Sequence, residues 1–236
     1  METSGLNFLI PDKPDIERDA LAEAFSRYGG SVHRIGRFWE PPNFDPATVR
    51  VYGPDTFCLV LQQKLGFALC SPEDDLLLRT PVKYLQRTLT RHTIGEARHI
   101  VYPAFIKPLM PKQFRGMVYR SEASFTGECR GLTRETAVVV AEVVAFTAEV
   151  RCFVLNGRVL SAATYEGSAD VADAKNLVEE VARAVSVPRT VVIDVGFIAD
   201  RGWAVVEYNA SWGAGLNGCD PERVLPAVLA ASGPSG

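Results

Sequence analysis

Glu207 and Asn209 interrupt the apolar run that opens "AVVEYNASWGAGLNG", close to the end of a chain of 236 residues. Side chains at i and i+2 of a strand share a face, so this acid and this amide oxygen point the same way. The preceding strand-like stretch, "TVVIDVGF", carries a single acid, Asp194. A turn of even length around "DRG" sets Asp194 opposite Glu207 or Asn209, whereas an odd turn sets it opposite Tyr208, whose side chain points away. On the even registers two carboxylates and an amide oxygen converge. Such a hard-oxygen set suits magnesium, which takes few protein ligands and completes its shell with water and phosphate oxygens. Without Asp194, the pair reads more simply as the solvated end of a strand.

A second pair, Glu149 and Arg151, lies in "AEVRCFVLNGRVLSAATYEG". Asn156-Gly157 is the preferred centre of a type I′ turn and predicts a two-residue hairpin loop. That register sets the small Ala162 and Thr164 across from the two charges and leaves space above the sheet. An exposed cross-strand ion pair is the plainer alternative. Lys107 ends the apolar strand "AFIKP", an unusual place for a charge unless it faces water or an anion. Lys112, Arg115 and Gly116 follow in "PLMPKQFRGMVY" and suggest a loop over phosphates. No GxxxxGK[ST] occurs and no GxGxxG follows a strand, so a nucleotide site would use a different scaffold. Trp212 and the glycines after it read as a close-fitting loop at the mouth of the acidic site.

These groups need elements to hold them. The first third alternates strand and helix: "LNFLI", the amphipathic "PDIERDALAEAFSRYGG", "SVHRI", "VRVYG", then "PDTFCLVLQQKLG" with proline at its start and glycine at its end. This pattern predicts a small, largely parallel sheet. "PEDDLLLRTPVKYLQRTLTR" reads as more helical, and the remainder is rich in strands, with a helix in "SADVADAKNLVEEVARAVS" between the two hairpins. The tail, "DPERVLPAVLAASGPSG", reads as a short helix and a flexible end.

Composition is globular, 47% hydrophobic and 22% charged, with a net charge of -3 and no basic block. Nucleic acid as a main partner is therefore not expected. No apolar run approaches the roughly 18 residues of a membrane span, and the N-terminus lacks a positive leader, so a cytoplasmic protein without a membrane partner is the expectation. The five cysteines, Cys58, Cys70, Cys129, Cys152 and Cys219, form no CxxC pair and read as thiols rather than zinc ligands.

Taken in order, "FIKP", "FRG", "VVVAEVVAF", "EVRCFVLNGRV" and "DVGF…VVEYN" resemble the ATP-grasp superfamily of carboxylate–amine ligases. "VRCFVLNGRVLSAA" is similar to the arginine-bearing strand of amino-acid ligases that modify ribosomal proteins. The resemblance runs over about residues 80 to 220. It implies an α/β chain with an N-terminal α/β lobe (1–80), a central ATP-grasp lobe (81–142) and a C-terminal lobe carrying a metal-binding hairpin (143–236), the last two being α+β lobes that clasp ATP.

The resemblance also implies roles. Lys107 would contact the ATP phosphates. Glu142, with the backbone of Val143 and Val144, would meet adenine at the hinge, and Glu149 the ribose. Asp194, Glu207 and Asn209 would hold one or two magnesium ions, and Arg151 would stabilise the transferring phosphoryl group. Lys112 and Arg115 would add charge to a phosphate loop poor in glycine. The family's earlier lysine falls to Lys83 or Arg87, and the sequence leaves that choice open. The implied reaction joins a small-molecule or peptide carboxylate to an amine through an acyl phosphate, releasing ADP and phosphate, and leaves room for a homodimer. "GRFWEPPNFDP" and "RSEASFTGECRGLTRET" are the expected substrate loops. The alternatives are an ATP-grasp module that binds nucleotide without catalysis, and a metal-dependent hydrolase using the acidic cluster alone.

Overall fold

The computed structural model describes residues 2–234. Its N-terminal part contains β1 (Asn7–Pro11), α1 (Ile16–Arg27), β2 (Ser31–Ile35), β3 (Val49–Val51), α2 (Asp55–Leu65) and β4 (Ala68–Leu69). β1 is the middle strand, parallel to both β2 and β3, as the strand–helix alternation predicts. Helix α1 starts where Asp15 accepts a hydrogen bond from the Arg18 amide at 3.0 Å, an N-cap that satisfies one of the helix's orphan donors.

Two short helices, α3 (Leu76–Arg79) and α4 (Val82–Leu85), lead into β5 (Leu89–Thr93), α5 (Ile94–Ala97), β6 (Ala104–Pro108), β7 (Met117–Tyr119), α6 (Glu122–Glu128) and β8 (Ala137–Ala141). The helical reading of residues 72–91 therefore fails at its end. Residues 89–93 pair along β8 in an antiparallel sheet of order β5-β8-β6-β7, and that ladder outweighs the local pattern. The boundaries expected after residues 80 and 142 fall between α3 and α4 and just beyond β8.

The chain continues with β9 (Ala148–Leu155), β10 (Arg158–Gly167), α7 (Val171–Ala184), β11 (Thr190–Ile198), β12 (Gly202–Asn209), α8 (Pro221–Leu229) and β13 (Ser232–Gly233). Four of these strands form an antiparallel sheet of order β10-β9-β11-β12. Asn156 and Gly157 both have positive φ, 51° and 75°, as a type I′ turn requires. The tail is not simply a flexible end. β13 pairs with β4, and the Val51 amide donates to Ser232 Oγ at 3.0 Å, while residues 235–236 lie outside the described residues.

Alternation along β9 and β11 explains where a site can open. Val150, Cys152, Val154, Val191, Ile193 and Val195 point to one face and pack on Ala174, Val178 and Val181 of α7. On the opposite face, Phe153 and Val192 pack against α8, α1 and β1. Two residues further along that second face come Arg151 and Asp194. The helices cover only part of the sheet, and the polar residues occupy the remainder.

Candidate functional site

The β11–β12 hairpin turns through residues 199–201, with Ile198 opposite Gly202. That is an odd turn, and an unbroken ladder would set Asp194 opposite Val206. A β-bulge absorbs Val206, so Asp194 pairs with Glu207, and Asn209 lies opposite Val192. Because a slip of one residue exchanges the faces of a strand, the bulge brings all three polar side chains to one face. The expected convergence is present, but the bulge produces it and not an even turn.

Arg151, on the adjacent β9, pairs directly with Asp194 in the ladder. Its Nε donates to Asp194 Oδ1 at 2.9 Å and its Nη2 to Oδ2 at 2.6 Å, a two-pronged ion pair. Its Nη1 donates to the Gly215 carbonyl at 2.9 Å. Asn209 Nδ2 donates to Asp194 Oδ2 at 3.2 Å and to Glu207 Oε1 at 2.8 Å. Asp194 is 1% exposed. Burial, with the nearby Glu207 adding to it, pushes its carboxyl up to about 6 against the pull of Arg151. Asp194 alone bonds the guanidinium, and Glu207, bonded to Asn209, adds a second negative charge nearby.

Lys107, in β6 of the central sheet, lies near Glu207, and Arg87, two residues before β5, lies near Lys107, Glu142 and Glu149. Burial draws the Lys107 ammonium below the usual lysine range, with Glu207 opposing the shift and Arg87 adding to it. Arg87 donates to the Leu85 carbonyl at 3.0 Å and to the Val205 carbonyl at 2.8 Å, beside the bulge. Burial lowers its guanidinium to about 10. The same guanidinium lies 5.3 Å from the Phe146 ring centroid. Phe146 in turn covers Gly196, where an added Cβ would sit 2.3 Å from Phe146 Cδ1. Only a residue without a side chain lets the ring reach the sheet. Gly196→Ala should cost about 1–3 kcal/mol of overpacking, read as a fall in Tm of roughly 2–12 °C. An unchanged Tm would mean that Phe146 can leave its seat freely.

The other expected residues are placed as follows. Glu142, Val143 and Val144 form the crossing from β8 to β9. The Glu142 carboxylate accepts from Arg201 at 2.6 Å and from the Thr88 amide at 3.3 Å, and Arg201 holds its pKa down. The adjacent Val143 side chain is exposed. Glu149 accepts from the hydroxyl of Tyr165. Of the two candidates for the earlier cation, Arg87 is buried near Lys107 and the β12 backbone, whereas Lys83 is exposed and pairs with Glu180. Lys112 is bound at 2.7 Å to Asp55, across from its own loop. Trp212 is buried against Phe57, Phe67 and their neighbours, and its Nε1 donates to Ser71, so it anchors the following loop rather than lining a mouth. Thr164 and Ala162 do not face Glu149 and Arg151. Bulges at Leu160 and Tyr165 bring Glu166 and Ala163 there instead.

Sequence reasoning missed Glu17. This first-turn residue of α1 accepts from the amides of Leu216 at 2.7 Å and Asn217 at 2.8 Å, pinning the loop whose Gly215 carbonyl holds Arg151. An acid in a helix's first turn is ordinary in a sequence, and nothing local marks its long-range use. Glu17→Ala leaves two donors unpaired, so exchange of the Leu216 and Asn217 amide protons should speed up by ten-fold or more, on the order of 1.4 kcal/mol. Unchanged protection would show that the loop holds itself.

A family model for the ATP-grasp domain, the second family of its clade, matches residues 84–227, more than half of the chain. The chain belongs to that ATP-grasp family. Its fold is an ATP-grasp fold, shared with solved structures at low identity. A RimK domain ATP-grasp protein from Sphaerobacter thermophilus DSM 20745 is 16% identical, with a TM-score of 0.62 over 95% of this chain and 99% of that one. The D-cycloserine synthetase DcsG is 15% identical, with a TM-score of 0.59 over 95% and 99%. The ATP-grasp ligase PsnB, solved with its precursor peptide PsnA2 and AMPPNP, is 14% identical, with a TM-score of 0.55 over 98% of each chain. No match is found among curated protein sequences. Among the described residues, no helix is long and apolar enough to cross a membrane.

Proposed function

We propose that this chain is an ATP- and magnesium-dependent ligase that joins a carboxylate to an amine, forming an amide or peptide bond with release of ADP and phosphate. The observation that carries this reading is the Arg151–Asp194–Asn209–Glu207 network on one sheet face, with the Lys107 ammonium near Glu207. Membership of the ATP-grasp family supports ATP as cosubstrate. The peptide-bound PsnB neighbour supports peptides among the substrate classes. In this reading Lys107 meets the phosphates, Glu142 and the backbone of Val143 and Val144 border adenine, and Glu149 meets the ribose.

The donor chemistry fits magnesium. Asn209 spends its N–H groups on the two carboxylates, so its Oδ1 is an uncommitted acceptor among the described residues, and Glu207 accepts from it at Oε1 alone. Glu207 and Asn209 would hold the ion. Asp194 would join them through lone pairs left over from its bond to Arg151. When bound, magnesium would offset charge on the phosphate oxygens.

A carboxylate is a poor electrophile. Its oxygen attacks the terminal phosphorus, ADP departs, and the carboxyl carbon then carries phosphate as leaving group. The amine nitrogen attacks that carbon, loses a proton, and phosphate departs. The protein supplies no covalent partner. Lys107 and Arg151 supply fixed positive charge where the transferring group becomes most negative, and the sheets hold reactants together and exclude water.

A phosphate-release screen over pairs of amino acids and short peptides tests this. ADP and phosphate should appear only when both a carboxylate and an amine are present. AMP and pyrophosphate as the sole products would overturn the reading, as would ATP binding without turnover on every pair.

A further inference from the structure

The two bulges in β10 have an effect on the site beyond shifting its neighbours. With the regular register of the Asn156-Gly157 turn, Tyr165 would face α7, on the side of Val150. The bulge at Leu160 moves every later residue of β10 by one, and Tyr165 turns to the face of Arg151 and Asp194. The second bulge then sets Tyr165 and Glu166 together against the single residue Glu149. Tyr165 is 37% exposed there. Its hydroxyl donates to Glu149 Oε2, and the Arg151 guanidinium lies 5.7 Å from its ring centroid. Burial and the carboxylates of Glu149 and Asp194 push the hydroxyl pKa up, so it remains a donor throughout the neutral range.

We propose that Tyr165 is a positioning and specificity residue of the nucleotide site, taking up one acceptor position at Glu149 Oε2 and crowding that oxygen, so that the sugar is met chiefly by the other oxygen, while its ring seats Arg151. This rests on Glu149 being the sugar-binding carboxylate. A free carboxylate accepts from both ribose hydroxyls. One already holding a phenol at Oε2 has one lone pair fewer and a bulky ring at that oxygen, so it recognises the hydroxyl at Oε1 more strongly than the one at Oε2. The phenol also fixes the side chain before the nucleotide arrives, which lowers the ordering cost of binding.

The test is calorimetric titration of ATP, 2′-deoxy-ATP and 3′-deoxy-ATP, each with magnesium, into the full chain and its variants. In the wild type, one deoxy analogue should bind roughly ten-fold more weakly than ATP, and the other about as well as ATP. In Tyr165→Phe, which keeps the ring beneath Arg151, both analogues should be weakened relative to ATP. Tyr165→Leu should do the same and also lower turnover once substrates are known. A matching Tm for Tyr165→Phe and wild type shows that the change is not one of folding. An analogue pattern left unmoved by Tyr165→Phe overturns the proposal while leaving the site assignment standing, provided Glu149→Gln weakens ATP. If Glu149→Gln binds ATP as the wild type does, the sugar-binding assignment fails and the proposal fails with it.

Discussion

Replacing Arg151 with alanine should cost both stability and turnover, and the stability loss should shrink at low pH. Asp194 is 1% exposed, and Arg151 satisfies both of its oxygens. Removing one partner of such a pair leaves an uncompensated charge, at a cost of about 3–5 kcal/mol. For a chain of this size that is a fall in Tm of roughly 6–20 °C. Without the guanidinium, burial acts on Asp194 with less opposition, so its folded-state pKa, already about 6, rises further. The folded state then keeps a proton that the unfolded chain, with a carboxyl near about 3.9, has released. Stability is therefore highest in acid and falls as pH climbs through the folded-state value. Melts of Arg151→Ala and wild type at pH 5 and pH 8 should show the larger gap at pH 8. Equal gaps would mean that Asp194 escapes to solvent or finds another donor.

The turnover loss is a separate quantity. A preorganised cation aimed at a developing negative charge is worth about 10²–10³-fold in rate. Arg151→Lys should recover much of the stability and only part of the rate. A lysine keeps the charge but cannot reproduce the fork to Asp194 together with the bond to the Gly215 carbonyl. Full turnover by Arg151→Ala, measured at a temperature where it is folded, would remove this residue from the chemistry.

Much of this site was legible because strands have a period of two. Glu207 with Asn209, and Glu149 with Arg151, share faces whatever the hairpin registers. The apolar residues between them are those that pack on α7. The bulges were not legible. Nothing in "VVE" or in "VLSAATYEG" marks an inserted residue, because a bulge depends on how neighbouring strands bend to meet other layers. Asp194 therefore met Glu207 by a route the turn alone would not give, and Tyr165 was overlooked because the regular hairpin register faces it away. Links far apart in sequence were invisible for another reason. Glu17 lies in an ordinary helix start, and Glu142 in an ordinary strand end. Their bonds, to residues 216 and 217 and to Arg201, exist only once the sheets are stacked. Trp212 shows the reverse error: a tryptophan beside glycines suggests a ligand, yet here its apolar body is needed in the core.

Glu207→Gln should abolish magnesium-dependent turnover without unfolding the chain. The substitution keeps an oxygen to accept from Asn209 Nδ2 and removes only the charge. It also removes a like charge that raises the Asp194 carboxyl, so the Tm should hold or rise. A function-linked acid whose removal stabilises the fold is held there at a cost. In the proposed reaction a bound ion would contribute several kcal/mol of charge stabilisation to phosphoryl transfer, so losing the Glu207 carboxylate should lower the rate by at least about 10²-fold. Lys107 loses its opposing carboxylate as well, so its ammonium pKa should fall further and ATP should bind with an altered pH dependence. Calorimetry separates the contributions: titrations of ATP without magnesium should change little, whereas the gain in affinity that magnesium brings to the wild type should disappear. If Glu207→Gln kept that gain and the wild-type rate, the ion would have to be held by Asp194.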